Sequence, residues 1–283
     1  MTSKPLSPRI KAQRVRVVQY AVFFVVIVAV ALFANWRQIG QVFLSPTWAK
    51  IALTNTVQLA PGSGSGQMPG LLMALLNTLI YSAGAFIIGL LLGTVLALMK
   101  LSQVAPYRWV ATLYTEIFRG LPALVVLVMF GLLSLAFSGL ILPLYPYGTV
   151  WAGLGMVYAA YMSETIRAGI QAVPKGQVEA ARTLGMTQGM AMRRIVLPQA
   201  FRIIMPPLTN DLIALVKDSS LVYLVGLTSQ TVELAAYGRQ LAGVKSNLTP
   251  LVIAGLCYLI ITVPLGYAVR RMEAKAHAQG GNK

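Results

Sequence analysis

Glu179-Ala-Ala-Arg-Thr-Leu-Gly-Met-Thr-Gln-Gly-Met-Ala-Met-Arg-Arg-Ile-Val-Leu-Pro198 is polar and basic, yet it lies between long apolar runs. Ala181 and Gly185 are four apart. On a helix they share one face, and a second helix can approach that face closely. Gly189 permits a turn, and Met190 to Val196 reads as a second short helix that Pro198 ends or bends. Two short helices with a small-residue face and basic flanks form a docking knob rather than a membrane span. The bland alternative is a hairpin lying on the membrane surface that binds nothing. A DNA-reading helix-turn-helix fits less well, because such motifs carry their basic residues on a soluble fold.

The composition sets the solvent. The 283 residues are 57% hydrophobic and 11% charged, and the mean hydropathy is +0.71. Soluble domains hold about 25% charged residues, so this is a membrane protein. The net charge of +16 arises from 23 basic and 7 acidic residues. In a membrane chain that excess reports topology before it reports nucleic acid, because cytoplasmic loops retain Lys and Arg. Cys257 is the single cysteine and His277 the single histidine. No intramolecular disulfide is possible, and no metal ligand set is expected. The P-loop pattern Gly-x4-Gly-Lys-Ser/Thr does not occur. If ATP drives this machine, another chain binds it.

Residues 1–16 form a basic tail expected inside the cell, and 17–34 an apolar run read as a retained first span. Residues 35–70 read as an outer loop, with Trp36 and Trp48 as interfacial anchors and a flexible Gly/Ser linker at 61–70. A core then runs from 71 to 271, with the hairpin at about 173–200 and a cytoplasmic tail at 272–283. Leu71 to Met99 crosses the membrane and carries Gly84, Gly89 and Gly93 for close helix contact. Further crossings are expected at 121–142 and 149–162. Phe201 to Val216 goes back out, is interrupted at Lys217-Asp-Ser-Ser220 and resumes to Ala236, which reads as a discontinuous membrane helix. The last span is expected at 248–269. Most basic residues fall in the two tails and beside the hairpin, and few in the loops assigned outside. That asymmetry fits an all-α integral membrane protein of about six transmembrane helices with both termini cytoplasmic.

The stretch from Glu179 to Pro198 resembles the cytoplasmic coupling motif of permease subunits of ABC importers, Glu-Ala-Ala-x3-Gly-x9-Ile-x-Leu-Pro, without a gap. Thr115-Glu-Ile-Phe-Arg-Gly-Leu-Pro122, Glu164-Thr-Ile-Arg-Ala-Gly-Ile170, Val173-Pro-Lys-Gly-Gln177, Pro198-Gln-Ala-Phe-Arg202, Pro206-Pro-Leu-Thr-Asn210 and Lys217-Asp-Ser-Ser-Leu221 resemble its polar amino-acid uptake branch. The resemblance covers about residues 71–271. It implies a five-helix permease core to which the first span is an addition. It also implies that Glu179, Ala180, Ala181, Gly185, Ile195, Leu197 and Pro198 couple to an ATPase. The implied partners are a dimer of ABC ATPase subunits holding ATP and Mg, a second permease that is identical or a sister, and an extracytoplasmic substrate-binding protein. The chain itself would then be no enzyme and hold no cofactor. The implied setting is the bacterial cytoplasmic membrane.

Individual groups carry further expectations. Glu179 is expected to cap the hairpin helix and to meet a basic group on the ATPase. Gly185 serves close packing or a turn. Glu116/Arg119 and Glu164/Arg167 are spaced to pair along a helix. Lys217 and Asp218, beside Ser219 at the break, suit the two charges of an amino acid, or form a structural ion pair that supports the break. Arg119, Asn77 and Asp211 are further candidates for substrate contact. Two other functions compete: a membrane scaffold that recruits a cytoplasmic partner and moves no solute, and a permease for a different small solute.

Overall fold

The computed structural model describes residues 8–33, 35–53, 56–58, 67–133, 137, 142–225, 231–245 and 247–280. Long apolar runs without internal breakers become helices because the backbone then satisfies its own hydrogen bonds in lipid. The helices are α1 (Pro8–Phe33), α2 (Trp36–Phe43), α3 (Pro46–Leu53), α4 (Leu71–Leu101), α5 (Ala105–Gly120), α6 (Ala123–Gly131), α7 (Tyr147–Gln171), α8 (Lys175–Thr183), α9 (Gln188–Ala191), α10 (Leu197–Asp218), α11 (Leu234–Lys245) and α12 (Thr249–Gly280). Leu71–Leu101 and Thr249–Ala274 are each long and apolar enough to cross a membrane. α5 and α6 pass that test only as a pair, bent by 98° at Leu121-Pro122. Pro122 lacks the N–H that would continue α5.

The bundle is built on α4 and α7, which run parallel. Tyr147 meets Asn77 near their starts, and Glu164 meets Lys100 near their ends. The expected glycine face makes this contact. A Cβ at Gly93 would lie 3.0 Å from the Ala159 carbonyl oxygen, and one at Gly89 3.3 Å from Tyr158. Gly84 seats the Trp151 ring, whose Nε1 donates to the Ile80 carbonyl at 3.0 Å. Tyr81, Leu127, Leu154, Met162 and Leu215 close the main core from α4, α6, α7 and α10.

The region before α4 differs from the sequence expectation. Residues 35–53 are two short helices and not an open loop. Asn35 caps α2 by accepting from the Gln38 N–H at 3.2 Å, and Pro46 opens α3. Thr56–Gln58 and Gln67–Pro69 pair as an antiparallel ribbon, so the end of the expected linker is a strand. The linker's residues 61–66 lie outside the described residues. α3 joins a second core at the end of the bundle far from the hairpin: Ala52 packs with Ala74, Leu234, Tyr237 and Ala254. The missed signals were caps and a few buried small residues, which periodicity over eight residues does not reveal.

Candidate functional site

The hairpin closes in a tight turn. α8 ends at Thr183 with Leu184 as its cap, and Gly185 takes a left-handed φ of +85°. The Met186 N–H donates to the Ala181 carbonyl at 3.1 Å, and the Gly185 N–H to the Arg182 carbonyl at 3.0 Å. That paired closure satisfies two end-of-helix carbonyls and requires a left-handed residue. Nothing lies within 4 Å of a Cβ built at Gly185. Gly185 therefore serves the turn, and it does not share a helix face with Ala181. Gly189 lies inside α9 and is not the turn. Thr187 starts α9, its Oγ1 accepting from the Met190 N–H at 3.3 Å. Thr187→Ala should loosen that start by about 1 kcal/mol, read as roughly fivefold faster amide exchange over Gln188–Ala191.

Pro198 neither ends nor sharply breaks the second arm. The helix widens to a π turn over Met192–Val196, where the Leu197 N–H reaches the Met192 carbonyl. The wider turn accommodates a residue that has no N–H to give. α9, the π turn and α10 are thus one continuous rod from Gln188 to Asp218. Gln199 Nε2 donates to Gln177 Oε1 at 2.6 Å and to the Ile195 carbonyl at 3.1 Å, tying α8 to the rod.

Ala181, Ala191 and Val196 face inward. Glu179, Ala180, Gly185, Leu197 and Pro198 are exposed, and Ile195 is half-buried. Glu179 is the fifth residue of α8, whose first turn holds no acid, so its expected capping role fails. Leu184, not foreseen as a contact, is 82% exposed at the tip. Its signal was an apolar residue directly before the turn glycine. An open concavity at the start of the rod is lined by Gly189, Met190, Arg193 and Arg194.

Glu164 gathers charge at the hairpin end of the bundle. One of its oxygens meets Lys100 Nζ, and the other accepts from Arg167 Nη2 at 2.6 Å and Nε at 3.0 Å. Lys100 also donates to Thr115 Oγ1 at 2.6 Å. The expected pair along α7 forms and gains a partner from α4. Glu116 and Arg119 are both exposed, and among the described residues they make no ion pair.

The α-helix runs through Lys217 and Asp218 and passes into a 3-10 turn over Ser219–Val225. Among the described residues no α-helix resumes at Leu221, where the sequence predicts one; the next begins at Leu234. Asp218 accepts from the Tyr158 hydroxyl at 2.8 Å, and Ser219 Oγ donates to the Val216 carbonyl at 2.7 Å. Lys217 is exposed, and among the described residues it makes no ion pair with Asp218. One oxygen of Asp211 is buried with no hydrogen-bond partner among the described residues. The Tyr158 and Tyr161 rings are 6.0 Å apart, and the Arg119 guanidinium sits 5.8 Å over Tyr161. Asp218 and Arg119 thus belong to one polar ladder across α10, α7 and α5, while Ser219 bonds back to its own turn. Tyr158 and Tyr161 are the ladder's unforeseen rungs.

Asn77 stands apart from that ladder. Fully buried, it donates to the Val232 carbonyl at 2.9 Å and accepts from the Tyr147 hydroxyl at 2.7 Å. Thr78 accepts from the Leu234 N–H at 3.1 Å, and Tyr81 donates to the Thr231 carbonyl at 2.9 Å. Asn77 therefore clamps the start of α11 to α4. Among the described residues no group of three or more His, Cys, Asp or Glu is placed to hold a metal ion.

Residues 89–277 match the family model described as binding-protein-dependent transport system inner membrane component. The chain is 40% identical over 214 residues to the arginine transport system permease protein ArtQ of Bacillus subtilis (strain 168), covering 74% of this chain and 93% of that protein. It is 37% identical over 213 residues to the glutamate/aspartate import permease protein GltK of Escherichia coli O6:H1, covering 74% and 94%. Among solved structures, the crystal structure of an amino acid ABC transporter with histidines matches with a TM-score of 0.61 at 36% identity, over 73% of this chain and 92% of that one.

Proposed function

We propose, from the premise that this chain belongs to the family of binding-protein-dependent transport system inner membrane components, that it is the permease subunit of an ABC importer that moves a polar amino acid into the cell. One observation carries this: the pattern from Glu179 to Pro198 folds into an exposed, cross-braced hairpin continuous with a bundle helix. The hairpin faces the cytoplasm and receives one of two ATPase subunits, which hold ATP and Mg. A second permease, identical or a sister, completes the pathway. An extracytoplasmic binding protein delivers the solute. About six spans place both termini in the cytoplasm, in line with the basic residues of the tails and hairpin.

Closure of the ATPases presses on Leu184 and the Arg193/Arg194 rim. The rod from Gln188 to Asp218 carries that displacement to the change of winding at Ser219. A bistable bundle then exchanges inward and outward access. The relatives include permeases named for arginine and for glutamate/aspartate, amino acids whose side chains carry opposite charge. What they share is the zwitterionic backbone, so the substrate class is polar amino acids of either sign. Lys217 and Arg119 supply positive charge to the pathway, and Asp218 and Asp211 negative charge. Ser219 supplies a hydroxyl beside them.

The complex in liposomes, with its binding protein and a panel of labelled amino acids, should show ATP-dependent uptake of at least one of them. ATP turnover without uptake of any amino acid would overturn the transport reading. Lys217→Met should lower transport of that amino acid about tenfold or more, with substrate-free ATP turnover unchanged. Unaltered transport would make Lys217 scaffold only.

A further inference from the structure

We propose that α2 seats its apolar stripe in the lipid headgroup layer of the leaflet opposite the hairpin, with phospholipid as its occupant. Trp36, Ile39 and Phe43 fall at i, i+3 and i+7 and form one stripe of the helix. Arg37, Gln38 and Gln41 occupy the other side. No residue of α2 is buried by the rest of the chain, and Trp36, Ile39 and Phe43 are 57%, 38% and 41% exposed. A stripe of this kind gains its burial from a surrounding medium.

The position of α2 identifies that medium. The helix docks through its backbone, and the stripe stays exposed. The Leu248 N–H donates to the Val42 carbonyl at 2.8 Å, and Asn247 Nδ2 to the Gln41 carbonyl at 2.8 Å. Just beyond, the Ser45 N–H donates to Thr249 Oγ1 at 2.9 Å. Thr249 is the first residue of α12, which is long and apolar enough to cross the membrane. Leu251, Leu256 and Ile260 of α12 are exposed. α2 therefore sits where a spanning helix enters the bilayer, and the apolar helix α1 ends only two residues before it. A cleft between α2 and α3 joins Trp36, Arg37, Gly40, Leu44 and Pro46. An indole beside a guanidinium suits the boundary between acyl chain and phosphodiester.

The test places a nitroxide singly at Gln38, Ile39, Gln41 and Phe43 in a Cys257→Ser background. The assembled transporter is reconstituted in vesicles of phosphatidylethanolamine and phosphatidylglycerol, with uptake confirming the fold. Collisions with oxygen report lipid, and those with a water-soluble nickel chelate report water. The oxygen-to-nickel ratio should be about fivefold or more higher at 39 and 43 than at 38 and 41. Three outcomes overturn the proposal. Equal nickel access at all four sites means a helix in water. Shielding of 39 and 43 from both reagents means a protein covers the stripe. Oxygen-rich signals at all four mean the helix is submerged.

Discussion

A Gly185→Leu permease should reach the membrane and assemble, yet import its amino acid at roughly a tenth of the parent rate or less. The cause is the backbone and not crowding. Open space surrounds the position, so leucine meets no clash, but φ is +85° there. A side chain at a left-handed φ costs about 1–2 kcal/mol. The closure from Met186 to Ala181 and from Gly185 to Arg182 depends on that φ. Without it α8 and α9 no longer hold one angle, and Leu184 no longer projects from a fixed tip. ATP turnover would continue with little solute moved. Gly185→Asn is the discriminating control, because asparagine tolerates the left-handed region. It should retain most uptake. If asparagine fails as badly as leucine, the position contacts the ATPase directly and the turn is not the explanation.

Much of the architecture could be read from the residue order because it depends on local periodicity. α4 follows from an unbroken apolar run, and its glycine face from the spacing of Gly84, Gly89 and Gly93. The departure from α-helical winding near Ser219 follows from four polar residues in an apolar stretch, but the helix expected to resume at Leu221 is a 3-10 turn instead. The site was harder to read, for three physical reasons. The sign of φ at Gly185 is not encoded in spacing, so packing and turn looked equivalent. Pro198 predicts a stop or a bend by local rules, whereas widening to a π turn lets the rod continue. Partners distant in sequence are invisible to periodicity. Lys100 meets Glu164 across 64 positions, and Asn77 meets Val232 across 155. A buried asparagine and a pathway asparagine look alike until that second partner is known.

The Lys100–Glu164 contact gives the second large effect, and its sign depends on how many charges are removed. Glu164→Leu leaves the Lys100 ammonium, whose side chain is 9% exposed, with only the Thr115 hydroxyl. Orphaning one member of a buried ion pair costs about 3–5 kcal/mol. Glu164 is 23% exposed, and water relieves part of that, so about 2–3 kcal/mol is expected. The double variant Lys100→Leu/Glu164→Leu removes both charges from the contact between α4 and α7. Arg167, 34% exposed, then turns to solvent at little cost. The double variant should therefore recover most of the stability the single one loses, with a coupling of about 2 kcal/mol in a double-mutant cycle. Thermal unfolding of the assembled transporter in nanodiscs measures all four corners. If the two losses add, Lys100 and Glu164 do not act as a pair, and the tie between α4 and α7 rests on the glycine face and the Tyr147–Asn77 and Trp151–Ile80 hydrogen bonds.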